Sequence, residues 1–259
     1  MSESKESAIG KAMQILRFFE SENRPSTIQE LSRSLGLKRA TVHRTVQTLV
    51  EYGMLRHELD GSRVSLGGAI LALGTSLTHS LRSGALLESA RPHLVRLREK
   101  TGCGVTLELF SGMRNILLFA LKGLRVVSFA GSQGDVMPWH AAAGAKATLA
   151  NVHPDELAQL LSERMFPFTP NTITNPDRFL AELKSVRRKG YATDLGETQL
   201  GVNAVAVPFF SYDGRPAGAV VAMDVGLDLQ GPEPEIITMV RDAAQAISTR
   251  NFAPGSQPS

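Results

Sequence analysis

A single cysteine, Cys103, stands in 259 residues, so no intramolecular disulfide can form, and no Cys/His cluster has the spacing of a zinc site. Neither a disulfide framework nor a structural metal is implied, and a reducing compartment fits. Long apolar runs are missing as well. None approaches the roughly 18 consecutive residues of a membrane span, and the opening MSESKESAIG has no apolar signal core. These absences lead to the expectation of a cytoplasmic protein without a membrane partner. An excess of charge of one sign is also lacking. The net charge of +3 is too small to argue for or against a nucleic-acid partner. Apolar residues, at 42%, are not scarce, and a chain of this length that buries them is expected to divide into two domains.

What the bulk charge hides, its distribution reveals. Between Arg33 and Arg56 lie Arg33, Lys38, Arg39, Arg44 and Arg56 against one acid, Glu51. The same stretch has the punctuation of short helices. Ile9, Met13, Leu16 and Phe19 or Ala12 recur at helical spacing and predict a first helix over Ala8 to Phe19. Pro25 interrupts it. Thr27-Ile28-Gln29-Glu30 has the form of a capping box opening a second helix, with Ile28, Leu31 and Leu35 inward and Gly36 at its end. A third helix is expected from Arg39 to Tyr52, its buried stripe formed by Val42, Val46, Leu49 and Val50 and its end marked by Gly53. Residues 54–57 and 63–66 then read as two strands around the turn dipeptide Asp60-Gly61. Three helices with a tight turn before the third and a hairpin behind describe a winged helix-turn-helix.

The run from Leu66 to about Leu81 is apolar and helical in pattern, with Ile70, Leu73 and Leu77 on one side, and reads as a linker helix or a dimer seam. Beyond it strand and helix signals alternate. Leu86 to Lys100 is helical despite Pro92. Val105 to Phe110, Ile116 to Leu121 and Arg125 to Phe129 suggest an antiparallel meander. Helices are expected over His140 to Asn151, from Pro154, and from Pro176 behind the cap Asn175, the last with Phe179, Leu180, Leu183 and Val186 inward and Arg187, Arg188 and Lys189 at its end. Two strands, Asn203 to Phe210 and Ala217 to Val225, flank Asp213-Gly214, and a final helix carries Ile236, Val240, Ala243 and Ile247. The fold class is α+β.

Several collinear segments, GLKRATVHRTVQTLVEYGML, SLGGAILALG, MPWHAAAGAKATLA, RRKGYATDLGE and GVNAVAVPFFSYDGRPAGAVVAMD, make the chain from about Ala8 to Phe252 resemble the IclR family of bacterial transcriptional regulators. The resemblance implies a winged helix-turn-helix over residues 1–66, a linker helix over 67–84 and a GAF-like α/β effector-binding domain over 85–252; the composition of the tail 253–259, APGSQPS, predicts disorder. It also implies a homodimer or homotetramer. Two departures bear on effector anchoring: Ala145 precedes Lys146 where the family usually has glycine, and the usual acidic run is thinned to Asp194 and Glu197.

With Val42, Val46 and Leu49 inward, the third helix presents Ala40, His43, Arg44 and Gln47 outward, with Arg39 and Thr41 in its first turn. Arginine pairs bidentately with guanine and glutamine with adenine in the major groove. Arg39, Thr41, His43, Arg44 and Gln47 are therefore expected to read a double-stranded operator, and Lys38 and Arg63 to meet phosphates. Reading a two-fold operator requires two such helices, so a dimer is the minimum unit. The family pattern, carried over position by position, puts the effector pocket among Phe129, Ala143, Gly144, Asp194, Val202, Ala204, Val221 and Met223, with Trp139 near its wall. The amides at Ala143 and Gly144 are candidates for holding a carboxylate. Asp194 is a candidate acceptor from a hydroxyl or a cation. The apolar Ala204, Val221 and Met223 point to a hydrophobic or aromatic effector, an aromatic acid included.

Enzyme readings fare poorly. Residues 130–134, AGSQG, miss the first glycine of a nucleophile elbow although Asp135 and His140 are near. Gly144 to Thr148 lacks phosphate-loop spacing, and His140 and His153 have no partners at metal-ligand spacing. No cofactor is implied. The rival from another class is a small-molecule-sensing signalling module whose N-terminal domain contacts protein rather than DNA; the cationic helix face weighs against it.

Overall fold

The computed structural model describes residues 7–22, 24–83, 85–124, 131–229 and 234–252. It divides into two bodies between Leu81 and Arg82. The tail 253–259 and the expected strand 125–129 lie outside the described residues.

The first body contains α1 (Ala8–Glu22), β1 (Ser26–Thr27), α2 (Ile28–Leu35), α3 (Arg39–Glu51), β2 (Leu55–His57) and β3 (Arg63–Leu66). Local chemistry sets its helix ends. Thr27 Oγ1 accepts from Glu30 N at 3.2 Å while the Glu30 carboxylate accepts from Thr27 N at 2.7 Å, a reciprocal cap that starts α2. Gly36 ends α2 at φ 65°, a left-handed conformation that side chains with a Cβ resist. The resulting tight turn lets α3 begin three residues later, so α2 and α3 pack together around Leu31, Val42 and Val46, all fully buried. The strands form a small antiparallel sheet in the order β1-β3-β2, with the wing loop between β2 and β3.

The face expected for α1 is corrected by the structure. Ile9 is 73% and Met13 51% exposed, while Ile15, Phe18 and Phe19 enter the core. Eight apolar residues spread around α1 leave more than one face available, and the approach of α2 and α3 decides which is covered.

α4 (Gly68–Ser83) follows β3, anchored where Gly67 N donates to Met54 O and Ala69 N to Gly53 O. The close approach to Gly53 leaves no room for a Cβ at Gly67. Leu71, Leu73 and Leu77 are exposed on α4.

The second body contains α5 (Ala85–Thr101), β4 (Gly104–Ser111), β5 (Arg114–Leu121), α6 (Ala143–Leu149), α7 (Pro154–Leu161), α8 (Pro176–Lys189), β6 (Ala192–Leu195), β7 (Val202–Phe210), β8 (Pro216–Val225) and α9 (Glu235–Phe252). Its antiparallel sheet runs β5-β4-β8-β7-β6, and β6 is a strand for which four residues of sequence gave no signal. Alternation along the strands divides the buried residues. Ala204, Ala206, Ala219, Val221 and Met223 join the cluster that packs against α6 and α8. Their neighbours Val205, Val207, Val220 and Ala222 turn to the other face, which α5 and α9 cover. Both faces of the sheet are therefore inside the domain.

Two helices differ from expectation in extent or face. α6 covers Ala143–Leu149 rather than residues 140–151, because Trp139 to Ala141 form a turn closed on the Pro138 carbonyl. α9 turns Ile237 rather than Ile236 inward, with Val240, Ala243 and Ile247. α8 is capped as expected: Asn175 Oδ1 accepts from Arg178 N at 3.0 Å, Pro176 opens the helix and Gly190 closes it at φ 77°.

Candidate functional site

In the first body, burial divides α3 along its length. Val42, Val46 and Leu49 lie in the core, Lys38, Arg39, Ala40, His43 and Arg44 are exposed, and Thr41 and Gln47 are half-buried. Among the described residues neither Arg39 nor Arg44 is ion-paired, so both guanidinium groups are available to an outside anion or base edge. Arg63 is placed differently. Its Nε donates to Asp60 Oδ2 at 2.8 Å, and Asp60 Oδ1 also accepts from the backbone N–H groups of Ser62 and Arg63. These donors, the Arg63 side chain foremost, hold the Asp60 carboxyl down to about 2. The wing arginine thus already has an anionic partner.

In the second body, a cavity of about 370 Å³ opens between the sheet and the start of α6. Ala143, Gly144, Asp194, Val202, Ala204, Val221 and Met223 all line it. Strand register explains their convergence: Asp194, Ala204 and Met223 are cross-strand neighbours on β6, β7 and β8, so one row of the sheet presents all three to the same side. Trp139 is not among the lining residues. Its ring is buried in the core, edge-on to Phe179 and to His140. Phe129 lies outside the described residues.

The lining residues that sequence reasoning missed are Glu108 and Leu117 of the sheet, Gly131, the segment from Asp135 to Pro138, Ala142, and Thr198 and Gln199. Glu108 is the most consequential. It is 1% exposed, and its Oε2 accepts from Asn115 Nδ2 at 2.9 Å. Thr148 Oγ1 in turn donates to Asn115 Oδ1 at 2.6 Å, which fixes the amide with its NH₂ toward the carboxyl. Burial pushes the Glu108 carboxyl up to about 7, against the opposing pull of Asn115 and Thr106. A polar residue within an apolar strand was the one available signal.

Asp194 has its own occupation. Oδ1 accepts from Glu197 N at 2.6 Å and Thr198 N at 3.3 Å, and Oδ2 accepts from Thr198 Oγ1 at 2.5 Å. It caps the loop that carries Thr198 and Gln199 to the cavity. Burial raises its carboxyl despite these bonds. Beneath that loop Lys146, wholly buried on α6, donates to Glu197 Oε1 at 2.5 Å. Burial raises the Glu197 carboxyl and the Lys146 charge opposes the rise.

The residues considered for catalysis are not assembled for it. Ser132 sits in a turn, its N–H donating to Asp135 Oδ2 at 2.6 Å, and no helix starts there. His140 Nε2 is taken by the Phe166 carbonyl at 2.8 Å.

Two family models match the chain: the IclR helix-turn-helix domain over residues 8–59 and the C-terminal domain of bacterial transcriptional regulator IclR over residues 78–249. The chain belongs to the IclR family. It is a DNA-binding transcription regulator. This IclR-family regulator is 30% identical over 229 residues to the DNA-binding transcriptional repressor YiaJ of Escherichia coli, covering 85% of this chain and 79% of that protein. It is 27% identical over 215 residues to the HTH-type transcriptional regulator XynR of the same organism, covering 82% and 84%. Among solved structures, an IclR transcriptional regulator from a Silicibacter species superposes with a TM-score of 0.80 at 26% identity, over 98% of this chain and 100% of that one. An IclR homologue from Microbacterium hydrocarbonoxydans, complexed with 4-hydroxybenzoate, gives 0.65 at 25% identity, over 94% and 98%.

Proposed function

We propose that this regulator reads its operator with the outward face of α3. Arg39, Thr41, His43, Arg44 and Gln47 meet base edges, and Lys38 and Arg63 meet phosphates. The observation that carries the reading is the pair of unpaired, exposed guanidinium groups on a helix whose opposite side is locked into the domain core. Arg63 reaches a phosphate by exchanging Asp60 for it, a small cost for an exposed pair. Two copies present two α3 helices to a two-fold operator, with the exposed Leu71, Leu73 and Leu77 of α4 a suitable seam for pairing.

The cavity beside α6 is the effector site. Its apolar walls suit the hydrophobic or aromatic body expected from the sequence, and the ligand of the Microbacterium homologue, 4-hydroxybenzoate, is an aromatic acid. For this chain we favour a head group other than a carboxylate, because Glu108, Asp135 and Asp194 line the cavity and no cation does so among the described residues. Effector binding shifts the protein between arrangements of differing operator affinity, with no chemistry performed on the ligand. The described helices include none long and apolar enough to cross a membrane, in keeping with a cytoplasmic regulator.

Selection of bound duplexes from random DNA, followed by salt titration of the recovered complex, tests the proposal. DNA reading predicts a recovered consensus and a steep loss of affinity with salt. Recovery of no consensus, with binding that ignores salt, would instead favour a protein partner.

A further inference from the structure

We propose that the effector of this regulator carries an ammonium or other cationic nitrogen on an apolar body, and that the Glu108 carboxylate receives it. The proposal rests on the reading of the cavity beside α6 as the effector site and names the class of ligand that site selects.

Three carboxyl groups line the cavity, and they are not equivalent. Asp194 has its oxygens engaged by Glu197 N, Thr198 N and Thr198 Oγ1, all from its own loop. Asp135 is exposed and accepts from Ser132 N. Glu108 is buried, as Asp194 is, but among the described residues its one side-chain hydrogen bond comes from Asn115 at Oε2, and a carboxylate offers about four acceptor sites. The Asn115–Thr148 pair fixes its orientation in advance, and Gly144, lacking a side chain, lets the carboxyl stand against α6. The group is thus a preorganised acceptor with capacity to spare.

Electrostatics then selects the partner. A carboxylate enclosed in the domain is stabilised by an opposite charge at hydrogen-bond distance and destabilised by a like one. Among the described lining residues none supplies that positive charge, and Lys146, the buried cation of α6, is committed to Glu197. A ligand nitrogen would supply it. Leu117, Val202, Ala204, Val221 and Met223 would cover the apolar remainder.

Three probes that share a ring and differ in head group decide the matter: benzylamine, benzyl alcohol and benzoate, titrated calorimetrically into the full-length protein at about pH 8, where Glu108 is ionised. The expected order is benzylamine tightest and benzoate weakest, separated by at least about tenfold. Glu108→Gln should lower benzylamine affinity by about tenfold and leave benzyl alcohol nearly unmoved. Ala204→Phe, which fills the cavity without touching Glu108, should abolish binding of all three.

Benzoate binding as tightly as benzylamine, yet lost in Ala204→Phe, would overturn the ligand class and leave the cavity reading standing. Binding that survives Ala204→Phe, or no binding of any probe, would overturn both. The ranking on the unaltered protein is decisive even if a variant fails to fold.

Discussion

The carboxyl group of Glu108 occupies the space into which a side chain at position 144 would project, so β4 and α6 meet there only because Gly144 has no Cβ. Gly144→Ala forces either the carboxyl or the helix start to move. Overpacking of this kind costs roughly 1 to 3 kcal/mol, measurable by urea denaturation. Glu108→Ala in the same chain should recover part of that loss, because it removes the atoms that collide. Strictly additive effects of the two changes would contradict the contact.

The Lys146–Glu197 pair lends itself to a double-mutant cycle. Lys146→Met strands a buried carboxylate and should cost about 3 to 5 kcal/mol, whereas Lys146→Met combined with Glu197→Leu should be far less damaging. Since Glu197 lies in the loop that brings Thr198 and Gln199 to the cavity, the single variant should also weaken binding of any cavity ligand. Equal damage from single and double variants would mean the pair contributes packing alone.

Stability should depend on pH through Glu108. Its carboxyl rises from 4.5 to about 7 on folding, so between those values the folded protein holds a proton that the unfolded chain releases. The contribution is complete below pH 4.5 and is lost as pH rises toward 7, amounting to about 3 kcal/mol in total. Asp194 and Glu197, also raised, act in the same direction. The difference between wild type and Glu108→Gln in denaturation series from pH 4 to pH 8 isolates the Glu108 share. A pH-independent difference would refute the assignment.

Freeing Arg63 should strengthen phosphate contact. Asp60→Asn keeps an oxygen for the Ser62 and Arg63 backbone N–H groups but removes the charge that holds the guanidinium. The variant should bind DNA more tightly at low salt, with a log–log salt slope steeper by up to about one. An unchanged slope would show that Arg63 does not reach the backbone.

Much of this architecture could be read from local sequence because local chemistry sets it. Thr27 with Glu30, Gly36, and Asn175 with Pro176 are caps and stops that act within a few residues of themselves. The α3 stripe was legible because Val42, Val46 and Leu49 leave one apolar face, whereas α1 offers more than one and its partners choose. The sheet order was out of reach, since β4 pairs with β8 across most of the domain. Glu108 was missed for a related reason. In β4, Thr106 and Glu108 alternate with Val105 and Leu107, which reads as a polar face toward water. Here α6 covers that face, so the polar residue is internal and meets a cavity rather than solvent. The apolar cavity row, Val202, Ala204, Val221 and Met223, was found through family resemblance and not through any local pattern.

The central claim, that the outward face of α3 reads sequence, is tested most directly by the ratio of operator to random-duplex affinity for wild type and Arg44→Ala at one fixed salt concentration. A base-reading Arg44 predicts that the ratio falls by a factor corresponding to about 1 to 3 kcal/mol, with random-duplex affinity changing much less. A ratio identical in the two proteins would contradict the account.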